Sequence, residues 1–187
     1  MRIVDWLVLP VLLVSLIVGC AATERARSQP LEPAVAAEWL QRFVGEWTSV
    51  AEVTLEPGGD PMRFESTESV RAIGRSWIVA ESHADADGQA FTSLLTIGFD
   101  ERAGAIVGTW IDSMQPYLWH YEGRLDVAHD TLTLESVGPS MGDPKVLARY
   151  RDVFELDGTE RKVLTSSVQG DDGQWTTFMR SEYRRKH

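Results

Sequence analysis

The chain has one cysteine in 187 residues, Cys20. A lone thiol leaves no partner for an intrachain disulfide and no second ligand for a zinc–thiolate site, so stability must come from a packed core. Long apolar runs are missing after residue 19, and segments of helical period are missing after residue 45. Basic residues are in deficit, 18 against 28 acidic, for a net charge of −10. Arg2 and Asp5 cancel, so loss of the first 19 residues would leave that balance unchanged. An acidic domain repels phosphate backbones, which argues against a nucleic-acid partner. The basic tail Arg184-Arg185-Lys186-His187 is too short to reverse this and reads as a solvated chain end.

What the sequence does have begins with an almost wholly apolar run from Trp6 to Gly19. It is short for a membrane span, which needs about 20 apolar residues; it fits a signal-peptide core. The run ends Ile17-Val18-Gly19-Cys20, which resembles the bacterial lipobox, a small residue before a cysteine. The resemblance implies that the Cys20 sulfur receives a diacylglycerol, that cleavage precedes Cys20, and that the new amine is acylated. A short uncleaved anchor is the alternative. The resulting expectation is an exported, lipid-anchored protein of the bacterial cell envelope, its domain on the periplasmic side, with no thiol left free.

Residues 20–33 mix Ser, Pro, Glu and Arg and read as a flexible tether, with one domain over residues 34–187. A short amphipathic helix is expected over 34–44, ended by Gly45. The period then changes to two. Strands are read at 47–55, 62–73, 76–83, 90–99, 105–113, 117–125, 131–137, 146–156, 161–169 and 174–184. Turn chemistry separates them, as at Asp87-Gly88, Asp157-Gly158 and Asp171-Asp172-Gly173. Ten consecutive hairpin-linked strands predict an all-β fold, a roughly ten-stranded antiparallel up-and-down barrel with one short N-terminal helix. A β-sandwich is the alternative.

Gly45-x-Trp47, following a short helix and opening the first strand, looks like the start of lipocalin-type (calycin) barrels. Four further stretches resemble the bacterial domain-of-unknown-function 1579 family: Gly108-Thr109-Trp110-Ile111-Asp112-Ser113-Met114, Tyr121-Glu122-Gly123, Arg149-Tyr150-Arg151-Asp152-Val153 and Phe178-Met179-Arg180-Ser181-Glu182-Tyr183. The resemblance covers residues 37–185. It implies a fold and no activity. In lipocalin-type barrels the opening Trp commonly stacks under an arginine of the last strand, so Trp47 and Arg180 are expected to pack together and close the barrel.

Several patterns suggest chemistry. Gly138-Pro139-Ser140-Met141-Gly142 matches a nucleophile elbow, but an elbow requires a following helix and Pro144 stands there instead; it reads as a hairpin loop. His83-Ala84-Asp85-Ala86-Asp87-Gly88 resembles half a calcium loop, yet its twelfth position is Leu94; it reads as a polar turn and no metal is expected. His120 is the candidate haem ligand should the barrel hold haem, although no cofactor is expected. Glu68, Glu81 and Asp152 share strand faces with apolar neighbours, and Arg149, Arg151 and Arg180 are potential partners. Trp110, Asp112, His120, Tyr150 and Asp152 are the candidate cavity residues.

The leading functional expectation is a membrane-tethered barrel that binds a small, partly apolar or amphipathic molecule. The alternatives are an interaction module of the envelope, or a hydrolytic or isomerising enzyme with Asp112 and His120 near the mouth. Small residues at Thr96, Gly98 and Gly108 are expected to leave space inside.

Overall fold

The computed structural model describes residues 31–54, 59–86 and 88–187; Cys20, the apolar run and most of the tether lie outside them. Helix α1 (Pro33–Gln41) is followed by β1 (Gly45–Val53), β2 (Met62–Ile73), β3 (Trp77–Ala86), β4 (Gln89–Asp100), β5 (Ala105–Asp112), β6 (Trp119–Asp126), β7 (Thr131–Pro139), β8 (Leu147–Asp157), β9 (Arg161–Gln169) and β10 (Trp175–Arg185). Each strand pairs antiparallel with the next, and β1 pairs with β10, so the sheet closes. The strand order follows the sequence, as expected of an up-and-down barrel, and removes the sandwich alternative.

Closure leaves no free sheet edge. The described elements form one barrel around one core.

The helix stops at Gln41, earlier than its apolar spacing suggests, because the chain must turn to enter β1. Pro33 occupies the first turn, where its missing N–H costs nothing. Gly45 sits at φ 139°, and a Cβ there would lie 2.2 Å from Arg185 Nη1. A side chain is therefore barred both by conformation and by the arginine that caps this corner.

Alternation then assigns every strand a face. Trp47 opposes Glu68 on one side and Arg185 on the other, and Ser49 opposes Ser66 and Tyr183; all point inward. The inward set continues through Val70, Ala80, Ile97, Ile106, Tyr121, Leu134, Phe154 and Lys162. Thr96 and Gly98 fall on the outer face, contrary to the expectation that they enlarge the interior. Thr96 hydrogen-bonds Thr109 there at 2.7 Å, and the Trp77 ring covers Gly98. Gly108 alone of the three faces inward.

Helix α1 lies across one end of the barrel as a plug. Ala36, Trp39, Leu40 and Phe43 pack onto Ile78, Ile97, Phe99, Ile106, Leu132, Phe154 and Leu156, forming the core. Asp130, in the connection between β6 and β7, takes a left-handed conformation at φ 51°. Its carboxylate is ion-paired with Arg42 and accepts from Trp39 Nε1 at 3.3 Å, which ties the plug to the barrel rim.

Candidate functional site

The lumen changes character along the barrel axis. At the α1 end it is a sealed floor. Trp47 is 1% exposed, and its indole N–H donates to the Phe43 carbonyl at 2.8 Å. Lys162, also 1% exposed, is ion-paired with Glu68. Its ammonium lies 4.5 to 4.8 Å from the ring centroids of Tyr183, Trp47 and Phe43. Burial pulls the lysine below its ordinary pKa, and the Glu68 charge opposes that shift. Ser82 supplies a second hydrogen bond to Glu68 at 3.2 Å.

The arginine over Trp47 is Arg185, 4.1 Å from the ring centroid, and not Arg180. Arg185 donates to the carbonyls of Val44 at 2.6 Å, Arg42 at 2.8 Å and Thr159 at 2.7 Å, stitching the helix exit to the end of β10. Arg180 stands on the opposite parity of β10, pairs with Glu182 on the outer face, and lines a charged outer hollow of about 340 Å3 with Glu52 and Arg63. The physical reason is the pleat: inward Ser181, Tyr183 and Arg185 alternate with outward Arg180, Glu182 and Arg184.

Above the floor runs a polar belt. Ser49, Ser93, Ser136, Ser166 and Ser181 are all buried on inward positions, and Ser66 and Ser82 are half-buried there. Asp152 belongs to this belt. It accepts from the Tyr121 hydroxyl at 2.6 Å and interacts with Ser166. Burial raises the Asp152 pKa, and these two hydroxyls partly offset it. Burial and the neighbouring Asp152 charge push the Tyr121 phenol well above its ordinary range.

At the end of the barrel away from α1, its mouth, inward aromatic side chains gather. The Trp119 ring packs edge-on against Tyr150 at 5.0 Å and Trp110 at 6.3 Å, and Tyr150 reaches Phe178 at 6.2 Å. A bulge between Thr177 and Met179 turns β10 at this level. Gly138 makes room for Trp119, since a Cβ would fall 2.3 Å from the indole. Phe64, Phe91, Leu95, Trp110, Asp152, Leu164 and Val168 point inward yet are only half-buried, unlike their counterparts on the floor.

Among the candidate cavity residues, the structure brings Trp110, Tyr150 and Asp152 to the lumen and leaves two out. His120 is exposed on the outer face, between inward Trp119 and Tyr121, and cannot ligate a group held inside. Asp112 sits at the end of β5, where its carboxylate caps the backbone N–H of Gln115 at 2.9 Å. That is turn chemistry, so the Asp112–His120 acid–base arrangement does not exist. Glu81 also faces outward, beside His83. Arg149 and Arg151 pair with Glu135 on the outside, and Arg151 covers Trp175 at 3.9 Å. Ser140 lies in the loop between β7 and β8 with no helix after it. Asp85 caps the Gly88 N–H at 2.6 Å in the β3–β4 turn. Among the described residues no cluster of His, Cys, Asp and Glu is placed to hold a metal.

Sequence reasoning missed Lys162, Tyr121 and Ser136 as inward site residues. The available signal was serine recurring on otherwise apolar strand faces, which marks an interior that is not fully dry.

A closed ten-stranded antiparallel barrel plugged by a short helix defines a calycin-type protein. The chain belongs to the DUF1579 family of proteins of unknown function, whose model matches residues 32–185. Solved structures share the fold at low identity. The Rv2717c protein of M. tuberculosis matches with a TM-score of 0.62 at 12% identity, over 83% of this chain and 100% of that one. The S-type phycobiliprotein lyase CPES of Guillardia theta matches with a TM-score of 0.56 at 12% identity, over 84% of this chain and 99% of that one. No curated protein matches the chain by sequence.

Proposed function

We propose that this protein is a membrane-tethered barrel that binds one small, partly apolar molecule in the upper half of its lumen. The observation that carries the reading is the contrast in burial along the axis. Inward side chains at the α1 end are sealed, whereas inward Phe64, Phe91, Leu95 and Trp110 keep solvent contact. Ten strands enclose a wider interior than eight, whose lumen side chains alone can fill. The phycobiliprotein lyase lends the architecture only, because at 12% identity its ligand does not transfer.

The tether reading rests on the lipobox-like Ile17-Val18-Gly19-Cys20. Exposed apolar side chains support it from the other end of the molecule: Met62, Met114, Leu118, Met141, Val146 and Leu147 all lie at the barrel end away from α1, each at least 42% exposed. Such a rim suits contact with lipid. From Cys20 to Pro33 an extended chain reaches about 45 Å. A strand of ten to twelve residues is about 33 to 40 Å long. The mouth can therefore meet the surface that anchors Cys20, although α1 sits at the far end, and a ligand would pass between bilayer and lumen.

Titration of the protein with a fluorescent apolar probe tests the binding reading. Saturation near one probe per chain, lost when inward Ser93 is replaced by Trp, is the expected result; non-saturating uptake refutes it. For the anchor, a Cys20→Ser chain should stay uncleaved or leave the membrane fraction. A correctly shortened Cys20→Ser protein that still sediments with membranes would remove that part.

A further inference from the structure

Among the described residues the barrel has two inward cations, both engaged at its floor. Lys162 is ion-paired with Glu68 inside a box of aromatic rings, and Arg185 covers Trp47 while donating to three backbone carbonyls. Above them, among the described residues, no inward strand position carries a cation, because the other strand arginines stand on the outer parity. The wall formed by β6, β7 and β8 is different. Asp152 faces inward with Tyr121 donating to it, and no cation among the described residues reaches it. Ser136 Oγ and Trp119 Nε1 are closed off from bulk water and lack any hydrogen-bond partner among the described residues. Their residues are 6% and 7% exposed. Ser136 opposes Tyr150, two residues from Asp152, and the Trp119 ring touches the same Tyr150. One wall thus gathers a donor without an acceptor, a hydroxyl without a partner and a carboxyl without a cation.

Such groups are costly in a folded interior unless something answers them. We propose that this wall is the head-group subsite of the barrel, and that it takes an amphiphile whose uncharged head carries both a hydrogen-bond acceptor and an N–H or O–H donor, a primary amide being the simplest case. The inference rests on the ligand-binding reading above and narrows it. An amide oxygen accepts from Trp119 Nε1, which can only donate, and the amide N–H donates toward Ser136 and Asp152. A fatty-acid carboxylate would bring a second negative charge beside Asp152 with no free cation to meet it. An alkylammonium answers Asp152 but offers the indole no acceptor. The aromatic side chains of Trp110, Tyr150 and Phe178 then flank the alkyl chain toward the mouth.

Three probes with one tail separate these cases: dodecanamide, dodecanoate and dodecylammonium, each titrated calorimetrically at neutral pH below its aggregation threshold into the barrel. The expected result is one site per chain, with dodecanamide at least tenfold tighter than either charged probe. Trp119→Phe keeps a ring and removes the N–H, and Ser136→Ala removes the hydroxyl; each should weaken the amide by about two- to tenfold, the span of one neutral hydrogen bond. Neither should change dodecanoate. Equal or tighter binding of dodecanoate or dodecylammonium overturns the head-group assignment and leaves the ligand reading standing. Saturable amide binding unchanged in both folded variants overturns it too. No binding by any of the three refutes the ligand reading and this inference together.

Discussion

Lys162 and Glu68 offer the sharpest test of what holds the floor together. Both are inward, 1% and 5% exposed, and among the described residues each is the one opposite charge the other pairs with. Removing one member strands a buried charge, which costs about 3 to 5 kcal/mol. Removing both in favour of apolar side chains of similar size is often neutral or stabilising, because the desolvation of two ions disappears with their attraction. Lys162→Met should therefore lower stability by about 3 to 5 kcal/mol, and Glu68→Leu by a similar amount. The double variant should return to within about 2 kcal/mol of the parent, leaving only the Ser82 hydroxyl without its acceptor. A domain of this size loses about 2 to 4 °C in Tm per kcal/mol, so the single variants fall by roughly 6 to 20 °C. Urea unfolding followed by far-UV circular dichroism, run as a double-mutant cycle, measures the coupling directly. Strictly additive losses would refute the account. So would a Lys162→Met variant within about 1 kcal/mol of the parent, which would mean that Glu68 finds water or sheds its charge without penalty.

Arg185→Ala should cost about 2 to 4 kcal/mol by urea unfolding, through lost hydrogen bonds to the Val44 and Arg42 carbonyls and lost stacking on Trp47, whereas Arg180→Ala should stay within about 0.5 kcal/mol; the reverse order would restore Arg180 as the closing residue. Asp152→Asn keeps an acceptor for Tyr121 and removes a group whose pKa is raised by burial. A raised folded pKa contributes stability that is full below the ordinary carboxylate value and is lost as pH rises through the folded one. The variant should accordingly match the parent near pH 3 and exceed it in Tm at pH 7; because Asp126, Asp130, Glu135 and Glu182 have lowered pKa values and add stability to both proteins over that window, the difference between the two is the readout, and a difference that does not grow with pH would contradict the shift. Gly138→Ala should cost about 1 to 3 kcal/mol and alter near-UV dichroism, because its methyl must displace the Trp119 ring.

The strands were legible because period-two alternation and turn residues are local. The reading 161–169 matches β9, and 62–73 matches β2. Which face of a strand turns inward was less legible, since neither face of β4 or β10 is uniformly polar. That ambiguity produced the choice of Arg180 over Arg185, one parity apart, and counted Thr96 and Gly98 toward the interior. Asp112 and His120 looked like a site because they flank one hairpin. Alternation places His120 beside Trp119 and Tyr121 on the opposite face, and a two-residue Asx turn absorbs Asp112. Lys162 was invisible for a different reason. Its partner Glu68 is 94 residues away, and only closure of the barrel brings the two together. Asp152 was legible as a carboxyl among apolar neighbours, but Tyr121, its donor, reaches it from β6, with β7 between the two strands.

On the reading proposed above, the barrel separates folding from binding along its axis. At the α1 end every polar group inside is answered: the Trp47 N–H by Phe43, Lys162 by Glu68, and the Arg185 guanidinium by three carbonyls. Aromatic packing there supplies the dry core on which closure depends. Toward the mouth the same alternation delivers serines, a carboxyl and an indole N–H to positions that leucine or isoleucine would fill more favourably for folding. Local rules that fail together, on one face and at one level, point to a selected purpose other than stability. The polar belt cannot be explained by packing around the floor, because it lies above the residues that seal it. Closure is carried by backbone pairing of β1 with β10 and by the Arg185 cap, and Ser49 of the belt meets Tyr183 across that seam. On the reading proposed above, the belt would meet the polar end of a ligand whose apolar body lies toward the apolar rim.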